Sequence, residues 1–247
     1  MLLALVLIAG MGLVPHTEPP AASALVLRAA DGVAVFARSY AGTTAGAPVI
    51  LLFHQAGSSK DEYAPIAPRL VRSGFNVLAI DQRAGGDLFA PGNETVRRAG
   101  KSAPYLAALA DMEAALAWAQ GTYPHVPVYA WGSSYSASLA FALAAKHPHD
   151  IAAVLAFSPG EYFADKHFVR DAARRVRVPV FIDSAADAAE ERATAAIAAA
   201  LGSQRKVRFV PQHGVHGSST LRDDRDPAGA AENWRAVDAF LSDVAPR

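Results

Sequence analysis

The chain contains no cysteine, and this absence excludes several kinds of chemistry. Disulfide bonds, zinc–thiolate sites, iron–sulfur clusters and a cysteine nucleophile all require thiols. An excess of either charge is also missing, because 23 Lys and Arg residues balance 23 Asp and Glu residues among 247. Proteins that bind nucleic acid through its phosphates usually carry a basic excess, so we expect no nucleic-acid partner.

Recognisable metal and phosphate motifs are missing as well. The eight histidines show no H-E-x-x-H or comparable spacing, so we predict no metal site. The sequence DQRAGG at residues 81–86 follows a predicted strand but lacks the spacing of a glycine-rich phosphate loop. We interpret it as a structural ion-pair loop at the edge of the functional site.

Long apolar runs are scarce, and one stands at the N-terminus. Residues 2–14 carry no charge but are too few for a typical membrane span. A polar segment and an A-x-A signature at 22–24 follow, which predicts a signal peptide over 1–24 and an exported domain over 25–247. No Lys or Arg precedes the run, so an uncleaved membrane anchor or a misassigned start codon is the alternative. Without such an anchor we expect no stable membrane partner.

After residue 24, short β-rich runs alternate with helical stretches, which predicts an α/β fold. The order implies a mostly parallel sheet with an N-terminal antiparallel hairpin and helices on both faces. Residues 159–177 are too few for a large lid domain. The predicted strands are 24–28, 33–38, 48–54, 75–80, 126–131, 151–157, 178–182 and 206–210, and the predicted helices are 63–73, 103–120, 136–146, 187–201 and 232–244.

The strongest local signal is the sequence WGSSYS at 131–136, between a predicted strand and a predicted helix. A nucleophile at such a sharp turn needs small residues two positions before and after it. Gly132 and Ser136 flank Ser134 in this way, whereas Ser133 would place Tyr135 at the second small position. We therefore predict Ser134 as a nucleophile.

A serine nucleophile needs a base, and the sequence GVHGSS at 214–219 supplies His216 in the loop after the last strand. His213 is a rival, but it stands directly beside the strand end. A solvent-exposed loop histidine is the competing interpretation of His216.

The third member of the set is an acid that orients the histidine. We predict Asp187, a few residues beyond the strand 178–182, with Asp183 as the second choice. Asp187 is equally suited to cap the following helix. Glu190 and Glu191 are interpreted as exposed charges of that helix.

A loop that follows the first long buried strand commonly donates a backbone N–H to a developing oxyanion. In the sequence His54-Gln55-Ala56, we predict Ala56 as this donor and Gln55 as the alternative. The second predicted donor is the N–H of Tyr135, the residue after the nucleophile.

Four segments together carry a family resemblance: FHQAGSSKDEY, DQRAGG, WGSSYS and GVHGSSTL. They resemble serine-type members of the dienelactone-hydrolase-like branch of the α/β-hydrolase superfamily. The resemblance implies a single-domain α/β-hydrolase fold and hydrolysis of a small-molecule or acyl-ester substrate through an acyl-enzyme on Ser134, without a cofactor. Dienelactone hydrolases proper use a cysteine, so their substrate is not assigned.

Three other functions stay open from the sequence. A peptidase or a thioesterase would use the same residues, because fold and nucleophile do not decide the leaving group. A binding protein can keep this fold without catalysis. An uncleaved N-terminal segment would instead make the chain an anchored structural protein of the cell envelope.

Overall fold

The structure is a computed structural model that describes residues 21–245. The apolar run of the predicted signal peptide lies outside the described residues, so the signal peptide and export stay predictions. The predicted cleavage point after Ala24 falls within the first strand, which begins at Ala22. Between residues 21 and 245, no helix is both long and apolar enough to cross a membrane.

The described residues form one sheet of eight strands in the order β1-β2-β4-β3-β5-β6-β7-β8. The pairs β1–β2 and β2–β4 are antiparallel, and all the other pairs are parallel. This confirms the predicted single-domain fold with a mostly parallel sheet and an N-terminal antiparallel hairpin. The strands are β1 Ala22–Arg28, β2 Ala34–Tyr40, β3 Val49–Phe53, β4 Asn76–Ile80, β5 Val128–Ser133, β6 Ala153–Phe157, β7 Val180–Asp183 and β8 Lys206–Arg208.

Helices cover both faces of the sheet, as predicted. One face packs against α1 and α7, and the other packs against α3, α4, α5 and α6. The helices are α1 Ile66–Arg72, α2 Glu94–Ala99, α3 Leu109–Thr122, α4 Tyr135–Lys146, α5 Phe168–Ala173, α6 Ala188–Ala200 and α7 Ala230–Val244, with 3₁₀ segments at Lys60–Tyr63, Tyr105–Ala108 and Gly217–Leu221. The sequence pattern does not predict α2, because six residues form a stable helix only through tertiary contacts.

The continuous apolar run of β3 follows from its position in the middle of the sheet. Val49, Leu51 and Phe53 pack on the α3–α4 face, whereas Ile50 and Leu52 pack on the α1–α7 face. A strand covered on both sides needs apolar residues at every position. Its carboxyl end is therefore held rigidly next to that of β5, where Phe53 pairs with Gly132.

The loop 81–86 holds a structural ion pair, in agreement with the sequence interpretation. The Arg83 guanidinium lies between Asp111 of α3 and Asp31 of the β1–β2 turn. Its Nη2 is 2.7 Å from Asp111 Oδ1, and the Arg83 backbone N–H donates to Asp111 Oδ2 at 2.7 Å. Asp111 is buried and Asp31 is half exposed. The Arg83 ion pairs thus attach the hairpin to α3.

We predict that Asp111→Ala destabilises the fold far more than Asp31→Ala does. Removal of Asp111 leaves the mostly buried Arg83 without its inner partner, which typically costs roughly 3–5 kcal/mol of unfolding free energy. Loss of Asp31, which is exposed to solvent, should have a much smaller effect. Urea unfolding of both variants measures the difference, and equal losses would contradict this account of the ion pair.

Candidate active site

Ser134 occupies a sharp turn between β5 and α4. Its φ of 59° and ψ of −122° are unusual for a residue other than glycine. A β-carbon on Gly132 would lie 2.4 Å from the backbone of Ser136 and Ala137, so only glycine fits there. Ser136 donates a hydrogen bond from Oγ to the His54 carbonyl at 2.6 Å. This bond explains why a serine stands at the second small position of the turn.

His216 reaches Ser134 from the loop after β8. The distance from His216 Nε2 to Ser134 Oγ is 2.8 Å, so the structure brings the predicted nucleophile and base into hydrogen-bond contact. Gly217 has a φ of 71°, and its N–H donates to Ser158 Oγ at 2.9 Å. This bond holds the His216 loop against the end of β6.

The acid that contacts His216 is Glu190, in the first turn of α6. Glu190 Oε1 lies 2.5 Å from His216 Nδ1. Burial by itself would raise the pKa of Glu190, but hydrogen bonds from His216, Ser158 and the Ala185 N–H outweigh it and lower the pKa to about 2. Because the carboxylate is ionised, Nδ1 must be the donor. Nε2 is then free to accept the proton of the Ser134 hydroxyl.

Asp187, the predicted acid, has a different position and role. Its Oδ1 accepts the N–H groups of Ala189 at 2.9 Å and Glu190 at 3.1 Å, so it caps the N-terminus of α6. The prediction of Asp187 is therefore corrected to Glu190, for which the sequence predicts only an exposed charge. The spacing Asp187-x-x-Glu190 matches a capping signature, and this signal could have identified Asp187 as the cap.

Asp183, the second choice, is buried at the end of β7. Oδ1 accepts the Ser184 N–H at 2.7 Å, and Oδ2 has no hydrogen-bond partner among residues 21–245. Burial raises the pKa of Asp183 to about 8, and the negative charges of Glu190, Glu232 and Asp226 act in the same direction. Asp183 makes no hydrogen bond to His216, and its raised pKa disfavours the ionised form that would stabilise an imidazolium.

The two predicted oxyanion donors, the N–H groups of Ala56 and Tyr135, both lack an acceptor among residues 21–245. Tyr135 is the first residue of α4, so its N–H lacks an acceptor within the helix. Within the described part of the chain, no hydrogen bond from the Ala56 N–H is present. The prediction of the Gln55 N–H as the alternative donor is wrong, because this N–H already donates to Glu62 Oε2 at 2.9 Å.

The Glu62 carboxylate lies fully buried beneath these loops. It accepts hydrogen bonds from the Gln55 N–H, from Ser58 Oγ at 3.2 Å and from Ser133 Oγ at 2.7 Å. Ser133 Oγ in turn accepts the Ser218 N–H at 2.8 Å. Burial raises the pKa of Glu62, although these donors and the nearby Arg222 charge oppose the shift. Ser133 thus points into the interior and cannot act as the nucleophile.

The arrangement supports proton transfer between a hydroxyl and an imidazole, and stabilisation of negative charge beside it. The hydroxyl, imidazole and carboxylate form one continuous hydrogen-bonded chain. Over residues 21–245, no three His, Asp or Glu side chains are grouped as ligands for a metal ion.

Comparison with known proteins assigns the fold. The model of the family described as alpha/beta hydrolase fold matches residues 48–194. No curated protein sequence matches the chain. A dienelactone hydrolase structure from Anabaena variabilis is similar with a TM-score of 0.72 and 16% identity, over 93% of this chain and 100% of that one.

Two esterase structures are similar to the same extent. One is from Pyrococcus furiosus, with a TM-score of 0.70 and 18% identity over 94% of this chain and 97% of that one. The other is a cold-adapted esterase from an Arctic intertidal metagenomic library, with a TM-score of 0.70 and 18% identity over 97% and 100%. At these identities the similarity shows the fold.

We predict that Asp183→Asn raises the free energy of unfolding above that of the wild type, and that this gain is larger at pH 7 than at pH 5. The folded state keeps the Asp183 proton up to about pH 8, whereas the unfolded chain releases it near 3.8. The folded state therefore binds more protons in this range, and its stability falls by about 2–3 kcal/mol between pH 5 and pH 7. Asparagine removes this loss. Urea unfolding of the variant and the wild type at pH 5 and pH 7 measures this gain in unfolding free energy. The same gain at both pH values would contradict the raised pKa.

Proposed function

Because the chain belongs to the alpha/beta hydrolase fold family, we propose that it is a serine hydrolase that cleaves carboxylic esters through an acyl-enzyme on Ser134. The observation that carries the proposal is the hydrogen-bonded chain from Ser134 Oγ through His216 to Glu190. A hydroxyl, a neutral imidazole and an ionised carboxylate in this order are the groups that general-base activation of a serine requires.

Acylation uses each of these groups. His216 Nε2 takes the hydroxyl proton as Ser134 Oγ attacks the carbonyl carbon of the ester. The carbonyl oxygen becomes negative and accepts hydrogen bonds from the N–H groups of Ala56 and Tyr135. The bond to the alcohol oxygen then breaks, and the alcohol leaves with the proton from His216. Ser134 carries the acyl group as an ester.

Deacylation repeats the steps with water. His216 takes a proton from a water molecule as the water oxygen attacks the acyl carbon. The Ser134 oxygen leaves and recovers the proton from His216, and the carboxylic acid departs. In both halves Glu190 stabilises the imidazolium, and its lowered pKa keeps it ionised while it does so.

The structural relatives support ester hydrolysis over other reactions. The three compared structures are of a dienelactone hydrolase and two esterases. This chain has no cysteine, so its nucleophile is an oxygen rather than a thiol. A panel of matched ester, thioester and anilide substrates compares esterase activity with the thioesterase and peptidase alternatives.

We expect a fluorophosphonate probe to label Ser134. Ser134→Ala should abolish labelling and lower kcat by on the order of 10⁶-fold, because the serine and histidine act as a unit. Ser133→Ala removes the neighbouring hydroxyl as a matched control and should keep labelling at Ser134, although the loss of its bond to Glu62 lowers stability. Peptide mapping after labelling reads out the site. An unlabelled but folded wild-type protein would overturn the proposed function.

We further expect Glu190→Gln to lower kcat on the order of 10³- to 10⁴-fold, because the neutral amide no longer stabilises the His216 imidazolium. Asp187→Asn removes one negative charge from the same helical turn and keeps a good cap, so its kcat should stay within about twofold of the wild type. Steady-state kinetics on one ester compare the two variants. A larger loss in Asp187→Asn would return the acid role to Asp187.

A further inference from the structure

An apolar cleft of about 430 Å³ lies between residues 103–106 and residues 162–164. This volume falls within the range of small-molecule binding pockets. The first segment leads into α3, and the second follows β6 on the carboxyl-end side of the sheet. Phe163 is buried and packs edge-to-face on Phe168, with ring centroids 4.8 Å apart, so one wall is part of the core.

Both walls of the cleft contact residues next to the nucleophile. The Tyr105 ring stacks on the Tyr135 ring, with centroids 4.5 Å apart and planes 15° from parallel. The Tyr162 hydroxyl donates to the Ser158 carbonyl at 2.8 Å. The Ser134 N–H donates to the carbonyl of the residue before Ser158 at 2.8 Å. Both walls of the cleft therefore contact residues that adjoin Ser134.

The lining of the cleft has no charged side chain. Tyr105, Leu106 and Tyr162 are three of the few large apolar side chains that residues 21–245 expose to solvent. Their grouping at one cleft is typical of a binding surface. The nearby Glu161 carboxylate is turned to α5, where it accepts the N–H groups of Val169 and Arg170.

The position of the cleft distinguishes the two halves of an ester. The leaving alcohol must lie at His216 Nε2 to receive its proton, and the His216 side chain is 40% exposed, so the alcohol departs into solvent. No residue of the His216 loop lines the cleft. The cleft instead adjoins Tyr135 through the Tyr105 ring, and the Tyr135 N–H is the proposed donor to the carbonyl oxygen. The acyl group is the half that remains to fill it.

We propose that this cleft is an acyl-binding subsite for an uncharged apolar chain, such as hexanoyl, or for an aromatic acyl group. The inference rests on the proposed esterase function and adds the substrate class to it. Burial of each additional methylene on an apolar wall favours the longer chain, whereas a carboxylate at the chain end would lose its hydration without a cationic partner.

The test compares p-nitrophenyl acetate, hexanoate, benzoate and the half-ester of adipic acid, which is a hexanoyl chain with a terminal carboxylate. We expect kcat/KM for hexanoate and benzoate to exceed that for acetate at least tenfold, and that for the adipate to fall at least tenfold below hexanoate. Ethyl and hexyl acetate vary the alcohol instead, and they should differ less than threefold.

Two matched variants locate the effect. Leu106→Asp places a charge in the cleft and should lower kcat/KM for hexanoate at least tenfold while acetate changes less than threefold. Leu88→Asp is the control, because Leu88 is 50% exposed against 48% for Leu106 and does not line the cleft. It should preserve the preference for hexanoate. Circular dichroism and thermal melting confirm that both variants are folded.

The outcomes separate the two proposals. The subsite proposal is overturned if Ser134 is labelled but kcat/KM is equal for all acyl chains, or varies with the alcohol instead. The esterase proposal stands in that case. A loss of selectivity in Leu88→Asp as large as in Leu106→Asp also overturns the subsite proposal. Absence of both labelling and ester hydrolysis overturns the esterase function, and the subsite falls with it.

Discussion

The buried carboxylate of Glu62 is the interaction on which the geometry of the site depends. It accepts hydrogen bonds from the loop after β3, at Gln55 and Ser58, and from Ser133 at the end of β5. Ser133 extends this network to Ser218, which belongs to the His216 loop. One buried group thus joins the three loops that carry the proposed oxyanion donor, nucleophile and base. A buried carboxyl group is tolerated here because hydrogen-bond donors surround both of its oxygens.

The strained turn at Ser134 is compatible with this arrangement because its surroundings are rigid. The Ser134 N–H donates to the Phe157 carbonyl at 2.8 Å, which adds the end of β6 to the support of the turn. A positive φ at a residue other than glycine persists where neighbouring structure over-determines it. The strain directs Oγ towards His216 rather than into the core, where the neighbouring Ser133 points.

Sequence patterns predicted the scaffold and the two residues with local signatures. The central strands are continuous apolar runs because both faces are covered, and WGSSYS marks a turn that needs small residues. The acid was misassigned because capping and orienting a histidine place the same demand on an acidic side chain near a strand end. Asp187 satisfies the helix N–H groups, and Glu190, one turn on, reaches the site.

The sequence by itself determined the mostly parallel sheet and the loops in which Ser134 and His216 stand, because periodicity and turn chemistry are local properties. Tertiary structure alone decided which carboxylate meets His216, that Gln55 gives its N–H to Glu62, and that residues 103–106 and 162–164 share one cleft. These facts depend on contacts between segments that are far apart in the chain, and such contacts leave no pattern in a single sequence. Burial then separates Asp183 from Glu190 further, since it raises the pKa of Asp183 to about 8 while hydrogen bonds lower the pKa of Glu190 to about 2.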